Sequence, residues 1–121
     1  EIRDKPNITF STIMLGYDAC RLGNLREARN YFEQALTLAT ELSATTLILD
    51  IFVGHAMIAQ REQNYQRAYD LLEYVLQHPA ISGEMKGRAS TLKAEIEPYM
   101  QGQATPFSSI QEVINSILVI R

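Results

Sequence analysis

The chain has 121 residues, 46% hydrophobic and 21% charged, with six glycines and four prolines, the balance of one ordinary globular domain rather than of a disordered or fibrous polypeptide. Its 11 basic and 14 acidic side chains are scattered and leave a net charge of −3, which excludes a dedicated phosphate-backbone binder, so direct nucleic-acid contact is not expected. A single cysteine, Cys20, rules out an internal disulfide, cannot by itself build a zinc site and fits a reducing, cytoplasmic compartment.

No apolar run approaches the ~20 residues of a membrane span, and the chain starts without methionine, as a fragment, a processed chain or one lacking terminal residues would. Ile8, Leu15, Ala19 and Leu22 recur at helical spacing behind Asn7, a residue suited to an N-cap, and predict a first helix over 8–22 that ends at Gly23-Asn24. Ala28, Phe32, Ala35 and Ala39 predict a second helix from Leu25 to about Glu41. The hydroxyl side chains of 43–46 compete for backbone hydrogen bonds. A third helix then runs from about Thr46 to Arg61, with Ile48, Phe52, Ala56 and Ala59 on its apolar face.

Asn64 breaks that helix, and Tyr65 to Gln77 forms a fourth with Ala68, Leu72, Val75 and Leu76, stopped by His78-Pro79. Ser82 caps a fifth over 82–98, carrying Met85, Ala89, Leu92 and Ile96. Residues 101–106 read as a linker between Gly102 and Pro106. In a last helix over 107–120, Ser109 and Glu112 have capping-box spacing, and Ile110, Val113, Ile114, Ile117 and Leu118 share one face. No segment alternates with period two, so the reading is all-α, with about six helices in one domain over 1–121.

Comparing 9–36 with 49–76 gives six identities in 28, where typical residue frequencies would give about two. The matched pairs Ala19/Ala59, Asn24/Asn64, Ala28/Ala68 and Leu36/Leu76 fall where paired helices approach, turn and bury a face. Here the chain resembles the tetratricopeptide repeat family. Leu15-Gly16, Ala19, Gly23-Asn24-Leu25, Ala28, Phe32 and Ala35-Leu36 match its helix–turn–helix signature in a first repeat over about 8–42. A looser copy over about 45–79 has Ala56, Ala59, Asn64-Tyr65, Ala68, Leu72 and Val75-Leu76, with His55 in place of Leu15 and Gln63 in place of Gly23. The resemblance implies a right-handed solenoid of antiparallel helix pairs closed by a C-terminal capping helix. The period of 40 exceeds the family's 34, so the extra residues are expected in the second helix of the pair or the turn after it. The run from Ala44 to Ala80 also resembles the C-terminal tail of large bacterial multidomain signalling ATPases, often coupled to transcription regulation. That implies a sensing or assembly tail, with any nucleotide chemistry in another domain.

Stacked pairs leave a groove along their first helices. With Leu15, Ala19 and Ala28 facing inward, Phe10, Ile13, Tyr17 and Arg21 of the first copy and Asp50, Val53, Met57 and Arg61 of the second turn toward it. This mix of aromatic, aliphatic, thioether and guanidinium groups suits a protein or peptide ligand, although the apolar members could equally pack against neighbouring helices. Arg21 and Arg61 hold equivalent positions, as a clamp for an acidic partner or as solvated helix-terminal cations. The apolar face of the last helix must be covered, either by capping its own chain or by a second copy in a homodimer.

Catalytic chemistry is not expected. His55 reads as a hydrogen-bonded core histidine and Cys20 as a buried thiol. Without HExxH, CxxC, GxxxxGK[ST] or GxGxxG spacing, neither a metal nor any cofactor is expected. Glu84/Arg88 and Lys93/Glu97 have the spacing of solvent-facing ion pairs. The reading is a noncatalytic protein-interaction or sensing module, with self-association, its groove filled by its own last helix, as the alternative.

Overall fold

The computed structural model describes residues 4–100, 102 and 105–119 and is all-helical, with no strand among them. Its elements are α1 (Lys5–Arg21), α2 (Leu25–Glu41), α3 (Thr45–Arg61), α4 (Tyr65–Gln77), α5 (Gly83–Ile96), a 3₁₀ turn (Glu97–Tyr99) and α6 (Ile110–Val119). Gln101, Gln103 and Ala104 of the expected linker, and the expected end of the last helix at Ile120, lie outside the described residues. Among the described residues no helix is long and apolar enough to cross a membrane.

α1 starts three residues earlier than Asn7 suggests. Pro6 sits in its first turn, where a missing N–H costs nothing, and Asn7 instead donates to Asp4 Oδ2 at 2.9 Å. The first three helices each have 17 residues, and their junctions share one backbone pattern. Gly23, Ser43 and Gln63 adopt positive φ of 84°, 51° and 63°. The amides that follow, at Asn24, Ala44 and Asn64, reach back to the carbonyls of Ala19, Ala39 and Ala59 at 2.8–3.0 Å. Each junction thus satisfies the last carbonyls of one helix with a left-handed residue, as a helix C-terminus requires. The added length relative to a 34-residue period is therefore not confined to α2 or its following turn: α1, α2 and α3 are equally long.

Consecutive helices from α1 to α5 pack on one another, and α1 meets α3 as α3 meets α5. α3 is consequently central. Eleven of its 17 residues are buried, including Ile51, Phe52 and Ile58. Phe32 of α2 is wedged between α1 and α3 with no exposure, its ring 5.4 Å from Tyr17 and 5.6 Å from His55. Gly16 and Gly54 make the space for it, since a Cβ on either would lie under 3.0 Å from several atoms of that ring. Ala19 and Ala28 are buried as expected, whereas Leu15 is 47% exposed and does not face inward. The buried residues of α1 are Thr9, Ile13, Gly16, Tyr17, Ala19 and Cys20, leaving Ile8, Leu15 and Leu22 as a solvent-facing stripe at seven-residue spacing.

Ser82 caps α5 by accepting from the Met85 amide at 3.2 Å. Neither expected ion pair on this helix forms among the described residues: Lys93 pairs with Glu73 of α4 at 2.5 Å, and Arg88 lies over the Tyr17 ring at 4.9 Å. Tertiary partners with better-placed charge or ring faces outcompete exposed intrahelical ones. At α6 the Ser109 hydroxyl accepts from the Glu112 amide at 3.1 Å as a capping box requires, but the Glu112 carboxylate returns to the amide and hydroxyl of Ser108. Val113, Ile114 and Ile117 are buried within the same chain, with Ile110 half-buried and Leu118 38% exposed. α6 shares with α2 the walls of a shallow pocket lined by Leu36 and Ile114, and meets α4 through Arg67, which donates to Ser116 Oγ at 3.3 Å. Burial of three large aliphatic side chains, at about 1.5–3 kcal/mol each, is ample to hold this helix on its own chain.

Candidate functional site

The eight residues expected to line one groove are divided by the fold. Ile13, Tyr17, Asp50 and Val53 are buried where α1 and α3 pack, with α5 against α3, so they present no open surface. Phe10 and Arg21 of α1 are exposed, and Arg21 pairs with Asp18 one turn back. Met57 and Arg61 line open pockets across from α5.

The buried group is tightly organised. The Tyr17 hydroxyl donates to the Asp50 carbonyl at 2.6 Å and lies 3.5 Å from Met85 Sδ. Burial raises the Tyr17 phenol above its ordinary value, with Asp50 adding to the shift and Arg88 opposing it. The Asp50 carboxyl is pushed up to about 6, chiefly by burial and further by Glu84, against the pull of Arg88. Its Oδ1 has no hydrogen-bond partner. These are positioning contacts that join α1, α3 and α5.

Beside them runs the open cleft between α3 and α5. One part, about 390 Å³, is lined by Met57, Gly87, Arg88, Thr91, Leu92 and Glu95. The next, about 700 Å³, is lined by Gln60, Arg61, Gln63, Tyr65, Glu95 and Tyr99. Glu95 belongs to both and accepts from Gln60 Nε2 at 3.2 Å. Tyr65 and Tyr99 stack with ring centroids 4.7 Å apart at the far end. The cleft therefore offers a thioether and aliphatic floor, two guanidiniums, one carboxylate and aromatic faces, which suits an extended segment with apolar and acidic side chains. Thr91 and Glu95 on the polar side of α5, and Tyr99 in the turn after it, escape the sequence reading, which assigns Arg88 only an ion pair with Glu84. Their spacing at steps of three or four was the available signal.

A second, smaller cavity of about 230 Å³ lies where α2, α3, α4 and α6 converge, with Arg29, His55, Glu62, Arg67 and Ile117 among its walls. His55 is the core histidine expected against α2, but its Nε2 has no hydrogen-bond partner. Burial, with help from Arg67 and Arg29, drives its pKa down to about 3. Cys20 is fully buried, and burial raises its thiol above the ordinary range, as an unreactive cysteine requires. Among the described residues no group of three or more histidine, cysteine, aspartate or glutamate side chains is placed to hold a metal ion.

Comparison with known proteins returns no matching family model, no similar curated protein and no similar solved structure.

Proposed function

We propose that this chain is a noncatalytic protein-interaction module, tetratricopeptide-like in build, that takes an extended peptide segment in the cleft between α3 and α5. The observation that carries this reading is the pair of adjoining, mixed-character pockets, one at Met57 and Arg88 and the next at Arg61 and Tyr99, with Glu95 shared between them. Long helices joined by three-residue junctions, with α1, α3 and α5 as neighbours, support antiparallel pairs stacked as a solenoid. The occupant that fits is a segment presenting an aliphatic or aromatic side chain to Met57 and Leu92 and a carboxylate to Arg88 or Arg61. Its natural setting is a cytoplasmic signalling or transcription-regulatory ATPase of bacterial type, in which this module is the sensing or assembly tail.

Selection from a peptide display library on the intact chain tests the reading. The expected result is a set of apolar-acidic peptides binding one per chain, lost in Met57→Glu while helicity is unchanged. Selected peptides indifferent to both Met57→Glu and Arg88→Glu would overturn it. Self-association is the second reading, favoured by the exposed apolar stripe of Ile8, Leu15 and Leu22. Sedimentation equilibrium would then show a dimer that Leu15→Glu dissociates, and a monomer at all concentrations would remove it.

A further inference from the structure

We propose that the cavity lined by α2, α3, α4 and α6 is a binding site for one compact oxyanion, a carboxylate or phosphate group, held by Arg67 and Arg29 beside His55. Three independent features point there. The volume, about 230 Å³, accepts a small polyatomic group. His55 is 8% exposed and lines this cavity, and its buried Nε2 has no hydrogen-bond partner, so the imidazole stands uncommitted beside the two guanidiniums. Arg67 is half-buried and makes no ion pair among the described residues, both terminal nitrogens of its fork being directed at the single oxygen of Ser116 at 3.3 Å. A planar fork with one neutral acceptor is matched better by a two-oxygen anion.

The carboxylates on the same walls limit what can enter. Glu62 is engaged by Arg29 at 2.8 Å, and Glu33 also faces the cavity, so the formal charges of the walls cancel. The site is therefore not a general attractor of anions, and recognition depends on the short-range fork of Arg67 beside His55. Ile117 of α6 closes one wall, so an anion bound here sits under the C-terminal helix. This site shares α3 with the cleft toward α5 but is lined by none of the same residues, so loss of one binding activity does not entail loss of the other.

The chain has only two histidines, so imidazole NMR reads the site directly. Sodium phosphate or sodium acetate is titrated into the intact chain at constant ionic strength set by chloride. The expected result is a saturable shift of the His55 ring signals with no shift at His78, accompanied by a rise of the His55 pKa as the anion offsets the two guanidiniums. The tighter of the two probes identifies the phosphate or the carboxylate as the natural group. Arg67→Gln should weaken the response by about tenfold or more, while Arg61→Gln in the other cleft leaves it intact. Should Arg67→Gln fail to fold, Arg29→Gln serves as the second variant with the same expectation. No saturation at His55 by about 50 mM of either anion, or an equal response in the folded arginine variant, overturns the proposal.

Discussion

Replacing Gly54 with alanine probes how α2 is seated between α1 and α3. The added Cβ would stand under 3.0 Å from three atoms of the Phe32 ring, far inside a normal carbon–carbon contact. The ring cannot move away, because it is fully buried, flanked by Tyr17 and His55, and Gly16 presses on it as closely from α1. Overpacking of this kind costs about 1–3 kcal/mol, against about 1 kcal/mol that alanine contributes by helix propensity over glycine. The net expectation is a loss of up to about 2 kcal/mol, or up to several degrees in melting temperature for a chain this size, against the gain expected of an unobstructed glycine. Gly87→Ala is the control: it lies in α5 with nothing within 4 Å of the new Cβ, so it should gain up to about 1 kcal/mol. Urea denaturation followed by far-ultraviolet circular dichroism measures both. Adding Phe32→Leu to Gly54→Ala should cost less than the sum of the single changes, with a coupling of about 0.5–3 kcal/mol. A Gly54→Ala protein as stable as Gly87→Ala, or strict additivity with Phe32→Leu, refutes the wedge.

Gln63 holds a left-handed backbone at φ 63°, so Gln63→Gly should stabilise the chain by about 1 kcal/mol, whereas Gly23→Ala at φ 84° should destabilise it; thermal melts decide both signs. Asp50, raised to about 6 when folded, holds its proton more tightly in the folded than in the unfolded chain, so its contribution is full below about pH 4 and is lost as pH rises through 6. His55, lowered to about 3, works the other way: its contribution is full above about pH 6.5 and is lost as pH falls toward 3. The two slopes oppose each other between pH 4 and 6 in the native sequence. Asp50→Asn should therefore unmask a steep rise of unfolding free energy with pH over that interval, gaining up to about 3 kcal/mol on the parent by neutral pH, and parallel curves would contradict the assignment. Lys93→Met breaks the pair with Glu73, whose side chains are 25% and 22% exposed, and should cost no more than about 1 kcal/mol in denaturant titrations.

Helix number, junctions and most of the core were legible because they depend on local signals. Gly23, Asn24 and Asn64 mark turns whatever surrounds them, and Ala28, Phe32, Ala35 and Ala39 trace one face that the structure buries. The first helix misled because it has two apolar faces. Ile8, Leu15 and Leu22 form the more regular stripe, yet Gly16, Tyr17 and Cys20 are buried, since small residues permit the close approach that Phe32 demands. Spacing ranks side chains by hydrophobicity and gives no weight to a glycine, so Gly54 carried no signal.

The groove residues failed for a related reason. Matching α3 to α1 assigns them equivalent faces, but α3 has helices on both sides and α5 covers it, which buries Asp50 and Val53 and leaves Met57 and Arg61 at the edge. The self-comparison could not supply α5 as the opposing wall, because α5 lies outside the matched segments. His55 was legible as buried, but its unpartnered Nε2 and the turning of Arg67 to Ser116 of α6 depend on tertiary packing.

Mapping backbone amide shifts of the isotope-labelled chain as a selected peptide is added tests the peptide cleft most directly. Perturbations should concentrate at Met57, Arg61, Arg88, Thr91 and Glu95, along facing sides of α3 and α5. Perturbations confined to Ile8, Leu15 and Leu22, or to the outer surfaces of α2 and α4, would place recognition elsewhere and contradict the reading.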